Sequence, residues 1–252
     1  MRIADLPRAS RAIPAATAAQ MAEMDRVATE DLGVSLAALM ENASHQIAAA
    51  TRAFLGETDG QLIVALVGTG NNGGDALGAL RHLIGWGAEV DAYVVAPPDR
   101  LRPLPRQQYE LLARLGANMY ETTKLDDRFL VHRLAARNAI LDGLLGYSTT
   151  GAPRGEVDRL IRLTAETAST PIVAIDLPSG LDPDTGAAAG SAIRAALTVT
   201  LALPKKGLVA EGARPFVGDL VLVDIGIPPA AYERAGVPAL GLFADGDLLR
   251  VA

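Results

Sequence analysis

Four short polar segments each follow an apolar run, and their side chains offer carboxylate, amide, hydroxyl and ammonium groups. In an open parallel α/β sheet, ligands bind beyond the carboxyl ends of the strands. Each segment alone is compatible with ordinary loop chemistry, so the prediction of one composite site depends on all four lying at the same edge. The segments are GTGNNGGD (68–75), DGLLGYSTTGAPRG (142–155), DLPSGLD (176–182) and PKKG (204–207).

The first segment fits G-x-G-x-x-G, in which glycines allow close backbone approach and a following helix offers free N–H groups to a phosphate. This fit alone is weak evidence for NAD, because a dinucleotide site also needs an acidic residue at the end of the second strand. Asp91 lies near the start of that strand, and Asp99 lies past its end. Asp75 is equally compatible with capping the next helix and with binding a ligand.

Two aspartates, Asp142 and Asp176, each end an apolar strand, where an unpaired carboxylate costs free energy. Turn capping and ligand binding both account for such residues. Together with Ser179 and the two asparagines of the first segment, they favour an oxygen-rich pocket that suits a hard cation rather than zinc. Lys205 and Lys206 are interpreted as a solvated turn, with a site lysine as the alternative.

The composition narrows the class of protein. Half of the 252 residues are apolar, which is enough for one large core, and we expect residues 1–252 to form a single domain. The net charge of −6, without a Lys/Arg cluster, disfavours nucleic acid as a partner. The absence of cysteine excludes disulfides, thiolate catalysis and cysteine-ligated zinc. Without a signal peptide or an uncharged run of roughly 20 apolar residues, we expect a soluble cytoplasmic protein that does not contact membranes.

The elements that must position these residues follow from the hydrophobic periodicity. Residues 15–55 predict two helices, the second with apolar residues at steps of three and four. From 61 to about 225, apolar strands alternate with amphipathic helices, which predicts a parallel sheet covered on both faces. Strands are expected at 61–67, 89–95, 118–121, 138–141, 171–175, 197–203 and 220–224, and helices at 75–86, 105–115, 127–136 and 156–168.

Over nearly its whole length the sequence resembles the NAD(P)H-hydrate epimerases, which are built on the YjeF N-terminal domain. The pairing of NNGGD (71–75) with DLPSG (176–180) is highly specific, and MDRVATEDLGVSLAALMENA (24–43), DGLLG (142–146) and LTVTLALPKKGL (197–208) occur in the family's order. The resemblance implies a three-layer α/β/α sandwich with a Rossmann-like, mostly parallel sheet, and a homodimer. It also implies that no C-terminal dehydratase domain is present and that a separate NAD(P)H-hydrate dehydratase completes the repair.

The resemblance further implies a substrate, a cofactor and site residues. The substrate is NADHX or NADPHX, a nicotinamide nucleotide hydrated at C6 of its ring, rather than NAD as a hydride carrier. Asp176 is implied as the catalytic acid/base, and a potassium ion is implied at Asn72, Asp142 and Ser179. The implied substrate contacts are Asn71, Asn72, Gly73, Gly74, Asp75, Gly146, Tyr147, Ser148, Thr149, Thr150, Gly151, Ala152 and Asp176.

Two departures from the family pattern affect this site. Ala76 stands where the family usually has glycine, and Tyr147-Ser148 replaces the Thr-Gly common in bacterial members. Two alternative functions stay open. One is a non-catalytic nucleotide- or partner-binding module of the same fold. The other is an NAD-dependent dehydrogenase, which the missing acidic residue after the second strand disfavours.

Overall fold

The sheet is the organising element of the chain. The computed structural model describes residues 2–135, 137–167, 169–239 and 241–251. Within these ranges the strands are β1 (Leu62–Val67), β2 (Glu89–Val94), β3 (Asn118–Glu121), β4 (Ala139–Gly143), β5 (Ile172–Ile175), β6 (Leu197–Leu201), β7 (Asp219–Val223) and β8 (Leu248–Arg250). They form one eight-stranded sheet with the order β3-β2-β1-β4-β5-β6-β7-β8, in which only the last pairing is antiparallel.

Helices cover both faces of the sheet because successive strand residues point to opposite sides. The helices are α1 (Ala18–Arg26), α2 (Leu36–Leu55), α3 (Asn71–Gly85), α4 (Pro103–Arg114), α5 (Asp127–Ala135), α6 (Gly155–Ala165), α7 (Arg214–Val217) and α8 (Pro229–Arg234). In β1, Ile63 and Ala65 join the core under α2, α3 and α4, whereas Val64 and Leu66 join the core under α5 and α6. None of the helices in the described ranges is long and apolar enough to cross a membrane.

The predicted α/β fold with a mostly parallel sheet is confirmed. The sequence did not predict β8, which is three residues long and carries too little periodicity to identify. The helix after β1 begins at Asn71 rather than at Asp75, so Asp75 lies inside it and the capping interpretation is wrong. The predicted helix ends at 136 and 168 fall outside the described residues.

The start of α3 lies directly against the end of β1. A Cβ atom on Gly73 would come 2.2 Å from the Gly68 carbonyl oxygen, and one on Gly68 would come 2.0 Å from the Leu144 carbonyl oxygen. Neither distance is compatible with any larger residue. These two glycines therefore allow α3 to pack closely against the loops that follow β1 and β4. This packing also sets the positions of Asn72 and Asp75, which belong to α3.

Candidate active site

A cleft opens where the strand order of the sheet reverses. From β1 the chain runs outward through β2 and β3 and then returns to place β4 on the other side of β1. Loops that follow β1 and β4 diverge at such a switch point and leave a crevice for ligands. The cleft has a volume of about 410 Å³, and its polar lining includes Asn71, Asn72, Asp75, Tyr147, Asp176 and Lys205.

Asp176 occupies a strained backbone position at the end of β5. Its φ is 69°, in the left-handed region, and its amide donates to the Val199 carbonyl oxygen at 2.8 Å. Residues other than glycine in this region cost on the order of 1 kcal/mol and cluster at functional sites. The side chain is buried, and its carboxylate accepts hydrogen bonds from the Lys205 ammonium and, at 3.3 Å, from the Tyr147 amide.

Lys205 is fully buried, so the interpretation of residues 205–206 as a solvated turn is wrong for Lys205 and correct for the exposed Lys206. Besides Asp176, the Lys205 ammonium donates to the Leu201 carbonyl oxygen at 3.1 Å. The chain turns back after β6, and the amino-terminal segment pairs with it. The Ala16 amide donates to the Pro204 carbonyl oxygen at 2.9 Å, and the Lys206 amide donates to the Ala16 carbonyl oxygen at 2.9 Å.

Asp25 of α1 is a cleft residue that the sequence analysis missed. The Tyr147 hydroxyl donates to its carboxylate at 2.6 Å, which ties α1 to the loop after β4. Burial raises the pKa of Asp25, although the hydrogen bond from Tyr147 opposes the shift. Burial and the nearby Asp25 charge raise the pKa of the Tyr147 hydroxyl. Nothing in the periodicity of α1 distinguished Asp25 from a solvent-facing carboxylate.

Asp75 lines the same cleft. Asp75 is only 7% exposed, and no hydrogen-bond donor from the described ranges contacts its carboxylate. Burial raises the pKa of Asp75 well above its usual range, and the negative charges of Asp176 and Asp25 raise it further. This environment disfavours the ionised form of the carboxyl group.

Asp142 and Ser179 are hydrogen-bonded to each other beneath the cleft, and Asn72 belongs to the cleft lining. The Asp142 carboxylate accepts from the Ser179 amide at 2.8 Å and from the Ser179 hydroxyl at 2.7 Å. The Asn72 amide group donates to the carbonyl oxygens of Leu145 at 2.7 Å and Ile175 at 3.1 Å. Burial raises the pKa of Asp142 to about 6, and its hydrogen bonds oppose the shift.

The remaining predicted contacts divide into three groups. Gly146, Ser148 and Thr149 line the cleft with the residues already named. Gly73 and Gly74 lie under it as packing contacts, and residues 150–152 are exposed beside it. Ala76 packs against Gly143 and is absent from the cleft lining, so its methyl group does not narrow the cleft. The roles of these predicted contacts in substrate binding stay predictions.

Asp91 does not supply the acidic residue that a dehydrogenase needs. It lies within β2, not at its end, and its carboxylate accepts from Arg133 at 2.7 Å and Arg137 at 2.8 Å. Asn118 donates to its other oxygen at 2.8 Å. These contacts hold Asp91 in a structural network on the far side of β2 from the cleft.

Comparisons with known proteins agree with this geometry. Residues 36–207 match the family described as YjeF-related protein N-terminus. An NAD(P)H-hydrate epimerase of Dehalogenimonas lykanthroporepellens is 38% identical over 243 residues, which are 96% of this chain and 94% of that protein. A bifunctional NAD(P)H-hydrate repair enzyme of Moorella thermoacetica is 37% identical over 84% of this chain, which spans only 40% of that longer relative. The crystal structure of yeast ynu0 has the same fold, with a TM-score of 0.80 at 22% identity, over 94% of this chain and 100% of that one.

Proposed function

This chain belongs to the YjeF-related N-terminal family, and on that premise we propose that it is an NAD(P)H-hydrate epimerase, an isomerase of nicotinamide nucleotide repair. The membership confirms the resemblance found in the sequence. One observation carries the proposal: a relative that aligns along 96% of this chain is itself an NAD(P)H-hydrate epimerase. The substrate is the NADH or NADPH hydrate, and the reaction interconverts its R and S forms at C6.

The cleft supports nucleotide binding on both of its sides. The amino terminus of the 15-residue helix α3 opens onto it, and the first-turn amides of such a helix are free to donate to a phosphate. On the other side, Met21, Leu39 and Met40 supply an apolar surface suited to a planar ring. A phosphate site and a ring site within one cleft match the chemistry of a dinucleotide.

The chemistry requires a group that moves a proton at C6 of the ring. The C6 hydroxyl lies next to ring nitrogen N1, so the nitrogen lone pair helps the hydroxyl to leave and an iminium-like cation forms. Water then returns to either face of the ring. Asp176 is proposed as the acid/base, because its carboxylate lies in the cleft and is held by Lys205 and by the Tyr147 amide. No redox step occurs.

A potassium ion held by Asn72, Asp142 and Ser179 is part of the proposal. The residues fit a hard monovalent cation, since their side chains supply one anionic and two neutral oxygen donors. Asp142 is fully buried, and within the described ranges no lysine, arginine or histidine forms an ion pair with it. Bound potassium would offset this charge and stabilise the loop that carries Tyr147.

The chain is further proposed to act as a homodimer alongside a separate NAD(P)H-hydrate dehydratase. The bifunctional relatives combine repair functions in one longer chain, of which this chain matches about two fifths. Light scattering at micromolar concentration tests the dimer. A single species at the 26.2 kDa mass of one chain contradicts it.

The central experiment couples epimerisation to a dehydratase that accepts only the S form. An R/S mixture of the hydrate is supplied, and consumption of the R form is followed before and after this protein is added. We expect faster R-form consumption, and no acceleration above the spontaneous rate refutes the epimerase function. Asp176→Asn keeps the side-chain shape without proton transfer and should lose about 10²–10⁴ in rate while still binding nucleotide. Full activity in that variant would move the catalytic assignment elsewhere.

A further inference from the structure

The carboxylates of the cleft differ in what they contact. Asp176 accepts from the Lys205 ammonium and the Tyr147 amide, so a neighbouring positive charge offsets its burial. Asp75 faces the same cleft at 7% exposure, with no donor from the described ranges in contact with its carboxylate. A polar group buried this deeply without a partner is costly unless a ligand or a bound proton compensates it. The carboxyl group of Asp75 is therefore available for contact with a ligand in the cleft.

Asp75 and Asp176 both line the cleft. Asp75 belongs to α3, whose first turns lie over the end of β4, where Ala76 packs against Gly143. Asp176 follows β5, the strand next to β4, and the Asn72 amide group of α3 donates to the Ile175 carbonyl oxygen of that strand at 3.1 Å. A six-membered ring bound in this cleft would therefore lie close to both carboxyl groups.

On the proposed epimerase function, we infer that Asp75 is a second catalytic residue, which protonates the departing C6 hydroxyl while Asp176 receives the proton of the incoming water. The two carboxyl groups thus divide the acid and base roles between the two faces of the ring. Lys205 is a positioning residue, since its ammonium donates to the Asp176 carboxyl group and fixes it in the cleft. For the reverse epimerisation the two carboxyl groups exchange roles.

The step balances in atoms and electrons. The proton of Asp75 moves to the C6 hydroxyl, the C6–O bond breaks with its electron pair on oxygen, and a water molecule leaves. The N1 lone pair forms the N1=C6 bond of the iminium cation. Water adds to the opposite face, its extra proton moves to Asp176, and the π electrons return to N1. One water leaves and one enters, so no oxidant or reductant is needed.

The charged groups around Asp75 disfavour its ionised form. Asp25 from α1 and Asp176 from β5 face it with negative charge, whereas Lys205 is bonded to Asp176 and Arg102 lies at the cleft rim. Burial and the two carboxylates raise the pKa of Asp75 well above its usual range. A carboxyl group whose environment disfavours ionisation is suited to the acid role.

Asp75→Asn tests the inference, because it keeps the side-chain size and removes the transferable proton. We expect R-form consumption to fall by about 10²–10⁴, with the dissociation constant for NADP⁺ changed by less than about threefold. The wild-type pH profile of kcat/KM should fall at high pH as Asp75 loses its proton, and the residual activity of the variant should lack that fall. Asp99→Asn, an exposed carboxylate after β2, is the matched control and should keep wild-type activity.

A second variant guards against an effect of altered packing. Asp75→Ala should recover part of its activity when formate is added, in proportion to the concentration of formic acid rather than formate ion. The inference is overturned if Asp75→Asn keeps full activity, if nucleotide binding weakens as much as kcat/KM, or if the high-pH fall persists unchanged. Inactive wild-type protein instead refutes the epimerase function itself, so the two failures are distinguishable.

Discussion

Two buried aspartates, Asp142 beneath the cleft and Asp75 within it, show opposite solutions to the burial of a carboxyl group. Asp142 is fully buried and accepts three hydrogen bonds, two from Ser179 and one from the Leu144 amide at 3.3 Å. Asp75 is almost as buried and accepts none from the described residues. Burial raises the pKa of both groups, but hydrogen bonds oppose that shift only for Asp142.

The contrast distinguishes a carboxyl group with a structural role, Asp142, from one that is placed to act on a ligand, Asp75. A carboxylate whose oxygens are bonded to backbone and side-chain donors holds the surrounding loops in one arrangement. A buried carboxyl group without donors stabilises nothing in the free protein and is explained by what it does to a ligand. The folded chain bears a cost at Asp75 that binding or catalysis must offset. Three substitutions test how far this distinction extends to the neighbouring residues.

The largest effect is expected for Lys205→Met, which leaves Asp176 buried without its cation. Removal of one partner of a buried ion pair costs about 3–5 kcal/mol of unfolding free energy. Because Lys205 holds the proposed acid/base Asp176 in place, activity at pH 7 should fall at least ~100-fold. Urea denaturation and the coupled epimerase assay measure the two effects. The matched control, Lys206→Met, alters the exposed neighbour and should shift stability by no more than about 0.5 kcal/mol.

Asp142→Ala should lower the free energy of unfolding by about 1–3 kcal/mol, since three donors lose their acceptor while a buried charge is relieved. It should also abolish any response to potassium. In the wild type, potassium chloride should increase the free energy of unfolding more than choline chloride does, by about 1.4 kcal/mol at ten times its dissociation constant, and thermal denaturation measures the difference. A variant that keeps the potassium response would remove Asp142 from the ion site.

The potassium effect should depend on pH in a defined direction. The pKa of Asp142 is about 6 in the fold against an ordinary value of 3.8, so the folded state holds the proton more tightly than the unfolded state. Its contribution to stability is complete below pH 4 and is lost as the pH rises through 6. Potassium binds the carboxylate form, so its stabilisation should grow over this interval. An equal effect at pH 4 and pH 7 would contradict the assignment.

The smallest effect is expected for Tyr147→Phe, which removes the hydrogen bond to Asp25 and keeps the ring. A hydrogen bond to a charged group contributes about 1.5 kcal/mol, and its loss should loosen α1 from the loop after β4. We expect a KM increase larger than any change in kcat, because Asp25 contacts the loop rather than the proposed reacting carbon. Tyr109→Phe, on α4 outside the cleft, is the control for loss of a tyrosine hydroxyl.

The sequence predicted the parallel sheet because apolar strands alternate with amphipathic helices. It predicted the shared edge because each polar segment follows a strand. It also predicted that the site residues lie in one region, namely Asn72, Asp142, Asp176 and Ser179. It could not identify Asp25, because a helical carboxylate carries no local sign of the loop that will pack against it. Lys205 did carry a sign, since it follows β6 at the same edge as the other polar segments. Its burial depends on a turn with a left-handed residue, Ala202 at φ 61°, which sequence periodicity does not report.

The pairing of Ala16 with the turn around Lys205 also has a consequence for folding order. The two partners are far apart in the sequence, and their hydrogen bonds join the amino-terminal segment to the loop that carries the buried ammonium. Contacts between distant chain segments form late, because loop-closure entropy must be overcome before they contribute stability. The sheet can therefore assemble before its cleft is closed. A refolding molecule should regain strand structure first and catalytic competence only when its amino-terminal segment docks.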